Sequence, residues 1–187
     1  MRIIGGRSRG LHLTPVGAGD TAARLRPTSD RVRESIFNLL INGGYGNPVA
    51  GARVLDLFAG TGALGLEALS RGAGAACFVE DGPVALGLLR KNIGLMRVDD
   101  AVEVIRRDAT RLGPVRGAAF DLVFLDPPYG QGLGEAALGA ARAGGWLTEG
   151  AMVVWEDGAP PVVPDGLERL DQRKYGDTVV TLLRAQV

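Results

Sequence analysis

The spacing of apolar residues changes several times along the chain, and each change marks an element. Short apolar runs at Arg53–Leu57, Ala75–Glu80, Val102–Arg106 and Phe120–Leu125 are bounded by glycine or polar residues and read as buried strands. Between them, apolar residues recur at helical spacing. One helix is expected over Ala63–Arg71, stopped by Gly72. A second opens at Asp81 and Pro83 and reaches about Met96, the proline being tolerated in the first turn. A third covers Leu133–Arg142, and Ala151–Trp155 returns to a strand. The tail differs: Leu167–Tyr175 and Thr178–Ala185 flank Gly176-Asp177 and read as an antiparallel pair.

The N-terminal part follows another pattern. Residues 1–14 alternate as a short hairpin, with Gly5-Gly6 and Arg9-Gly10 as bends. Residues 15–29, with Pro15, Gly17, Gly19 and Pro27, read as a loop. Thr28-Ser29-Asp30 is a helix start. The helix is expected to run to about Ile41, with Val32, Ile36, Leu39 and Leu40 on its buried face and Arg31 and Glu34 exposed, and Gly43-Gly44 ends it.

Alternating strands and helices predict an α/β fold, a mostly parallel sheet with helices on both faces. Seven strands are expected, the last two forming an antiparallel hairpin at the end of the chain. The length, 187 residues, suits one domain. Residues 1–45 form a basic extension of hairpin and helix, and residues 46–187 the α/β body.

Apolar residues make up 46% and charged residues 22%, the proportions of a soluble globular protein. The 29 glycines repeat with no fixed period, so no repeat architecture is implied. Net charge is zero but unevenly spread. Residues 1–40 hold seven arginines (Arg2, Arg7, Arg9, Arg24, Arg26, Arg31, Arg33) against Asp20, Asp30 and Glu34. A basic segment on a neutral body points to a local polyanion-binding surface. The single cysteine, Cys77, lies in an apolar run and is expected in the core. With one cysteine and one histidine, no metal site is expected. No signal-peptide or membrane-span pattern appears, so a cytoplasmic protein is expected.

The strongest chemical signal is Asp126-Pro127-Pro128-Tyr129, directly after the apolar run Leu122–Leu125. Two prolines fix the chain direction and offer no N–H donors. Asp126 then falls at a strand's carboxyl end, where α/β proteins place ligands. Tyr129 offers a flat ring to a flat substrate. The set suits grasping the exocyclic amino group of an extruded nucleobase; Asp-Pro-Pro is also ordinary turn chemistry.

A second signal is the loop from Val54 to Gly65, in which Gly60, Gly62 and Gly65 spell G-x-G-x-x-G, followed by Glu80. A dinucleotide site is one reading, with pyrophosphate on the helix N-terminus and Glu80 on a ribose. S-adenosylmethionine is the other. Asp56 favours it, because a carboxylate repels pyrophosphate but suits a cofactor carrying an ammonium group. Glu80 then pairs with the ribose hydroxyls, and Asp108 suits the adenine amino group. Asp56, Glu80, Asp108 and Asp126 end four successive predicted strands, which all open on one sheet edge.

Over about residues 50–187 the chain resembles the class I, Rossmann-like S-adenosylmethionine-dependent methyltransferases, and its Asp-Pro-Pro-Tyr motif resembles that of enzymes methylating exocyclic amines of adenine or guanine. The stretches Arg2–Gly6, Arg9-Gly10, Arg26–Asn38, Phe58–Arg71 and Tyr175–Thr178 narrow this further. They are similar to the 16S ribosomal RNA guanine-N2 methyltransferase family of RsmD type. The resemblance implies in-line attack of the guanine N2 amine on the sulfonium methyl. It implies Asp126, the Pro127 carbonyl and Tyr129 as the catalytic set. The cofactor contacts it implies are Asp56, Phe58, Gly60, Thr61, Gly62, Glu80, Asp108, Ala109 and Asp126. RNA contacts are expected from Arg7, Arg9, Arg24, Arg26, Arg31, Arg33, Pro128 and Tyr129. His12 is a further candidate for the phosphates, and Arg33 alternatively faces the cofactor side. The implied partner is 16S ribosomal RNA or a small-subunit assembly intermediate, bound by a monomer with no metal and no membrane.

Other readings remain at this level. The motif equally suits adenine-N6 or guanine-N2 methylation of DNA or another RNA, although no large target-recognition domain is present. A nicotinamide-dependent oxidoreductase rests on the glycine match alone. A non-catalytic RNA-binding or assembly factor would have no need of Asp126 and Tyr129.

Overall fold

The computed structural model describes residues 1–14 and 29–186. Most of the expected loop, with Arg24 and Arg26, lies outside the described residues. The elements in chain order are α1 (Asp30–Asn42), β1 (Arg53–Leu57), α2 (Ala63–Ser70), β2 (Ala75–Glu80), α3 (Pro83–Met96), β3 (Val102–Arg106), β4 (Phe120–Leu125), α4 (Leu133–Ala143), β5 (Leu147–Asp157), β6 (Leu167–Tyr175) and β7 (Thr178–Ala185). They form one seven-stranded sheet in the order β3-β2-β1-β4-β5-β7-β6. The pairs from β3 to β5 are parallel, and β5–β7 and β6–β7 are antiparallel. This is the arrangement that the resemblance predicts, a mostly parallel sheet closed by a C-terminal antiparallel hairpin.

Side-chain alternation divides the core between the two faces of the sheet. Val54, Phe78, Leu122, Phe124, Met152 and Val154 point to one face, covered by α1, α2 and α3. Leu55, Leu57, Val79, Val123, Val153 and Trp155 point to the other, covered by α4. The N-terminal residues Ile3 and Leu13 and the α1 residues Ile36, Phe37 and Leu40 belong to the first of these clusters. Phe37 meets Phe124 at 5.5 Å between ring centroids, which sets α1 on the strand that ends at Asp126.

Three details depart from the sequence pattern. β5 begins four residues earlier than expected, because Thr148, Glu149 and Gly150, polar or exposed, separate Leu147 from the apolar run at Ala151–Trp155. The N-terminal hairpin forms as a ribbon, with an antiparallel Arg2–His12 bridge and backbone hydrogen bonds joining Ile3 to Gly10 and Leu11 and Met1 to Leu13, but it does not stand alone. Several of its backbone groups bond to α2 instead of across the ribbon. The buried stripe of α1 is Arg33, Ile36, Phe37 and Leu40, which places an arginine in the core.

Candidate functional site

The loop from Leu57 to Ala63 turns β1 sharply into α2. Phe58 has φ 60°, and Gly60 and Gly62 have φ 55° and 80°. A left-handed phenylalanine costs energy and persists only where surroundings enforce it, often at ligand sites. A side chain at Gly62 would meet Leu89 Cδ1 at 2.4 Å, and one at Gly65 would meet Phe78 Cε1 at 2.4 Å. These glycines therefore let α2 start directly against β2 and α3.

Carboxylates hold this loop. Asp56, 2% exposed, accepts the Gly65 N–H at 2.9 Å. Burial pushes its pKa up to about 8; the Gly65 hydrogen bond opposes this and the Glu80 charge adds to it. Glu80 accepts the Gly60 N–H at 2.8 Å on one oxygen, and the Gly82 N–H at 2.8 Å and Asp81 N–H at 3.1 Å on the other. Asp108 caps the short helical turn Ala109–Arg111 through the Thr110 hydroxyl and N–H, both on one oxygen, at 2.7 and 2.8 Å. Those bonds lower its pKa, so it stays ionised at neutral pH. Thr61 and Ala109 are buried beside these groups.

At the tip of β4, Asp126 and Pro128 are half-buried and Pro127 is buried. The Tyr129 hydroxyl donates to Glu156 Oε1 at 3.3 Å and lies 3.4 Å from Thr178 Oγ1. Its pKa is pushed up to about 12 by burial first, then by the charges of Glu156 and Asp126, so the phenol remains neutral. A side chain at Gly158 would meet the Tyr129 ring at 2.9 Å. The ring is thus held between the end of β5 and the start of β7. Gly134 lets α4 sit directly on the Trp155 indole, where a side chain would come within 2.3 Å. That contact anchors the far end of the Asp-Pro-Pro-Tyr loop.

Parallel pairing of β3, β2, β1 and β4 brings Asp56, Glu80, Asp108 and Asp126 to one sheet edge. Glu156, a fifth strand-end acid, was visible as the end of an apolar run but did not stand out beside the Asp-Pro-Pro-Tyr motif. The basic residues divide. Arg7, Arg9, Arg31 and His12 are exposed. Arg33 is not available to RNA: its side chain is fully buried, 2.8 Å from Asp30 and 3.6 Å from Glu67, and it donates to the Arg2 carbonyl. The sequence pattern misses this because a polar residue type conceals a core position.

The chain matches the family model described as conserved hypothetical protein 95 over residues 1–184. It belongs to that family. Ribosomal RNA small subunit methyltransferase D of Escherichia coli K12 is 38% identical over 168 residues, covering 88% of this chain and 79% of the relative. The Haemophilus influenzae protein of the same name is 34% identical over 181 residues, covering 94% and 89%. The solved structure of Escherichia coli yhhF superposes with a TM-score of 0.81 at 33% identity, over 100% of this chain and 98% of its own. Among the described residues no helix is long and apolar enough to cross a membrane, and no group of side chains has the make-up of a metal site.

The donor set fits a cofactor with a cationic amino-acid end and a ribose. Among the described residues no cation pairs with the desolvated Asp56 carboxyl group, and Glu80 is a two-oxygen acceptor at the loop's edge. A cation placed beside Asp56 would favour its ionised form. Binding S-adenosylmethionine at pH 7 is therefore expected to release close to one proton. Calorimetry in buffers of different ionisation enthalpy measures this, and Asp56→Asn should release almost none. Without a cation, the folded pKa lies above the unfolded one. This group's contribution to stability is then full below about pH 4 and lost as pH rises through about 8.

Proposed function

We propose that this chain transfers a methyl group from S-adenosylmethionine to the N2 amine of a guanine in 16S ribosomal RNA. The observation that carries the reading is the placement of Asp126-Pro127-Pro128-Tyr129 on the same sheet edge as the glycine loop and its acids. Membership of a family whose relatives are named ribosomal RNA small subunit methyltransferases supports it.

When bound, the cofactor supplies an electrophilic sulfonium methyl. Asp56, Phe58, Gly60, Thr61, Gly62, Glu80, Asp108 and Ala109 hold it. Asp126 and the Pro127 carbonyl accept the two N–H hydrogens of the guanine amine. Its nitrogen then pyramidalises, and the charge developing on it meets a fixed acceptor. Tyr129 stacks on the extruded base beside Pro128, and Arg7, Arg9 and Arg31 meet RNA phosphates. The substrate is a small-subunit particle or its RNA, bound in the cytoplasm by a monomer.

Labelled S-adenosylmethionine, the purified protein and small ribosomal subunits from cells lacking it provide the test. Nucleoside analysis should find the label as N2-methylguanosine. Label as N6-methyladenosine, or in DNA alone, would refute the substrate assignment.

A further inference from the structure

We propose that Asn92 is a positioning residue that couples the N-terminal ribbon to the cofactor loop, so that RNA on the ribbon and cofactor in the loop each tighten binding of the other. This rests on the assignment of ribbon and loop given above. Asn92 lies within α3 and is fully buried. Its Oδ1 accepts the Thr14 N–H at 2.7 Å, and its Nδ2 donates to the Thr61 carbonyl at 3.0 Å. One amide thus joins the end of the ribbon to the residue between Gly60 and Gly62. The other end of the ribbon meets the same residue, with Thr61 Oγ1 3.7 Å from Met1 Sδ.

Between these ends the ribbon is fixed to α2, the helix that the cofactor loop opens. Glu67 accepts the N–H groups of Ile4 and Gly5, both at 2.8 Å. Ser70 accepts the Ser8 N–H at 3.0 Å, and its carbonyl accepts the Arg7 N–H at 2.8 Å. Exposed Arg7 and Arg9 sit at the far turn of this ribbon. A load on those arginines therefore reaches the loop through hydrogen bonds at both ends and through a helix between them.

Helix propensity does not account for Asn92, since asparagine is a weak helix former. It lies in the apolar stripe of Leu89, Ile93 and Met96, where an aliphatic residue would carry no desolvation cost. The amide satisfies one donor and one acceptor on two segments 47 residues apart in sequence, Thr14 and Thr61. Gly60 and Gly62 leave the loop deformable, so its conformation depends on such external ties.

Coupling between two ligands is reciprocal and is read as a ratio of affinities. The probe is sinefungin, a non-reactive amine analogue of the cofactor. Its affinity for the full chain is measured alone and with saturating small ribosomal subunits. Unaltered protein should bind it at least about fivefold more tightly with subunits. Asn92→Asp keeps the acceptor for Thr14 but replaces the donor to Thr61. Thr14→Pro removes the N–H on the other side and serves if the first variant fails to fold. In either variant the ratio should fall below about twofold. A purely structural role would lower the melting temperature without changing the ratio. A ratio near one in the unaltered protein, or an unchanged ratio in the folded variants, overturns the proposal. Failure of the unaltered protein to bind sinefungin at all would instead refute the cofactor assignment.

Discussion

Asp126→Asn is expected to slow methyl transfer by roughly 10²–10³-fold while cofactor affinity changes no more than severalfold. The amine of guanine is a poor nucleophile because its lone pair is delocalised into the ring. Attack requires that nitrogen to pyramidalise, and positive charge grows on its hydrogens as it does. A carboxylate accepts those hydrogens and opposes the charge. Asparagine has the same shape but is neutral, and half of its amide donates where an acceptor is needed. The flanking prolines and the buried strand Phe120–Leu125 keep the backbone in place, so the loss falls on the chemical step. Single-turnover rates and equilibrium dialysis separate the two quantities, and a near-normal rate would end this assignment. Tyr129→Ala should behave differently. Base stacking on an aromatic ring contributes about 1–3 kcal/mol, so the KM for RNA should rise roughly 5- to 150-fold. Tyr129→Phe keeps the ring and loses the hydroxyl's ties to Glu156 and Thr178, so its effect should be smaller.

The strands and helices of the body were legible because each is a short apolar run or stripe closed by glycine, proline or polar residues. The positions of β1 to β4 and the terminal hairpin follow from that punctuation. The acids at the strand ends were legible as well, since topology alone carries a strand's last residue to one edge. The buried polar positions escaped for one physical reason. Arg33, Glu67 and Asn92 are polar types at positions that periodicity alone would mark as apolar, and each is buried only because a partner far along the chain satisfies it. Glu67 meets Ile4 from 63 residues away, and Asn92 meets Thr14 from 78. A local pattern holds no record of such pairings. The hairpin of residues 1–14 was legible, but its attachment to α2 was not, because the N–H groups of Ile4, Gly5 and Ser8 find their acceptors at Glu67 and Ser70, far along the chain.

Glu67→Ala is expected to be the most destabilising single change, at about 3–5 kcal/mol. Glu67 is wholly buried, 2.7 Å from Arg71 Nε and 3.6 Å from Arg33 Nε. Arg33 is also wholly buried, and Arg71 is 13% exposed. Burying these charges is tolerable only because they are paired. Removing the carboxylate leaves two arginines with less compensation, although Asp30 still meets Arg33. It also leaves the Ile4 and Gly5 N–H groups without their acceptor. A loss of this size should lower the melting midpoint by on the order of 10 °C in a chain of this length. Glu67→Gln fills the same space and keeps one acceptor oxygen, so its loss should be smaller. The ion pair between Arg173 and Asp171 is the contrast: its ends are 2.9 Å apart, but the arginine is 55% exposed. Breaking that pair should cost less than about 1 kcal/mol, because water already screens it. Thermal melts of Glu67→Ala, Glu67→Gln and Arg173→Ala compare the two environments directly. If Glu67→Ala melted within about 2 °C of the unaltered protein, a far smaller shift than the loss of a buried pair implies, the ribbon would not depend on this carboxylate. Because the same carboxylate holds the ribbon against α2, the melt also reports how firmly the arm with Arg7 and Arg9 is fastened to the helix that follows the glycine loop.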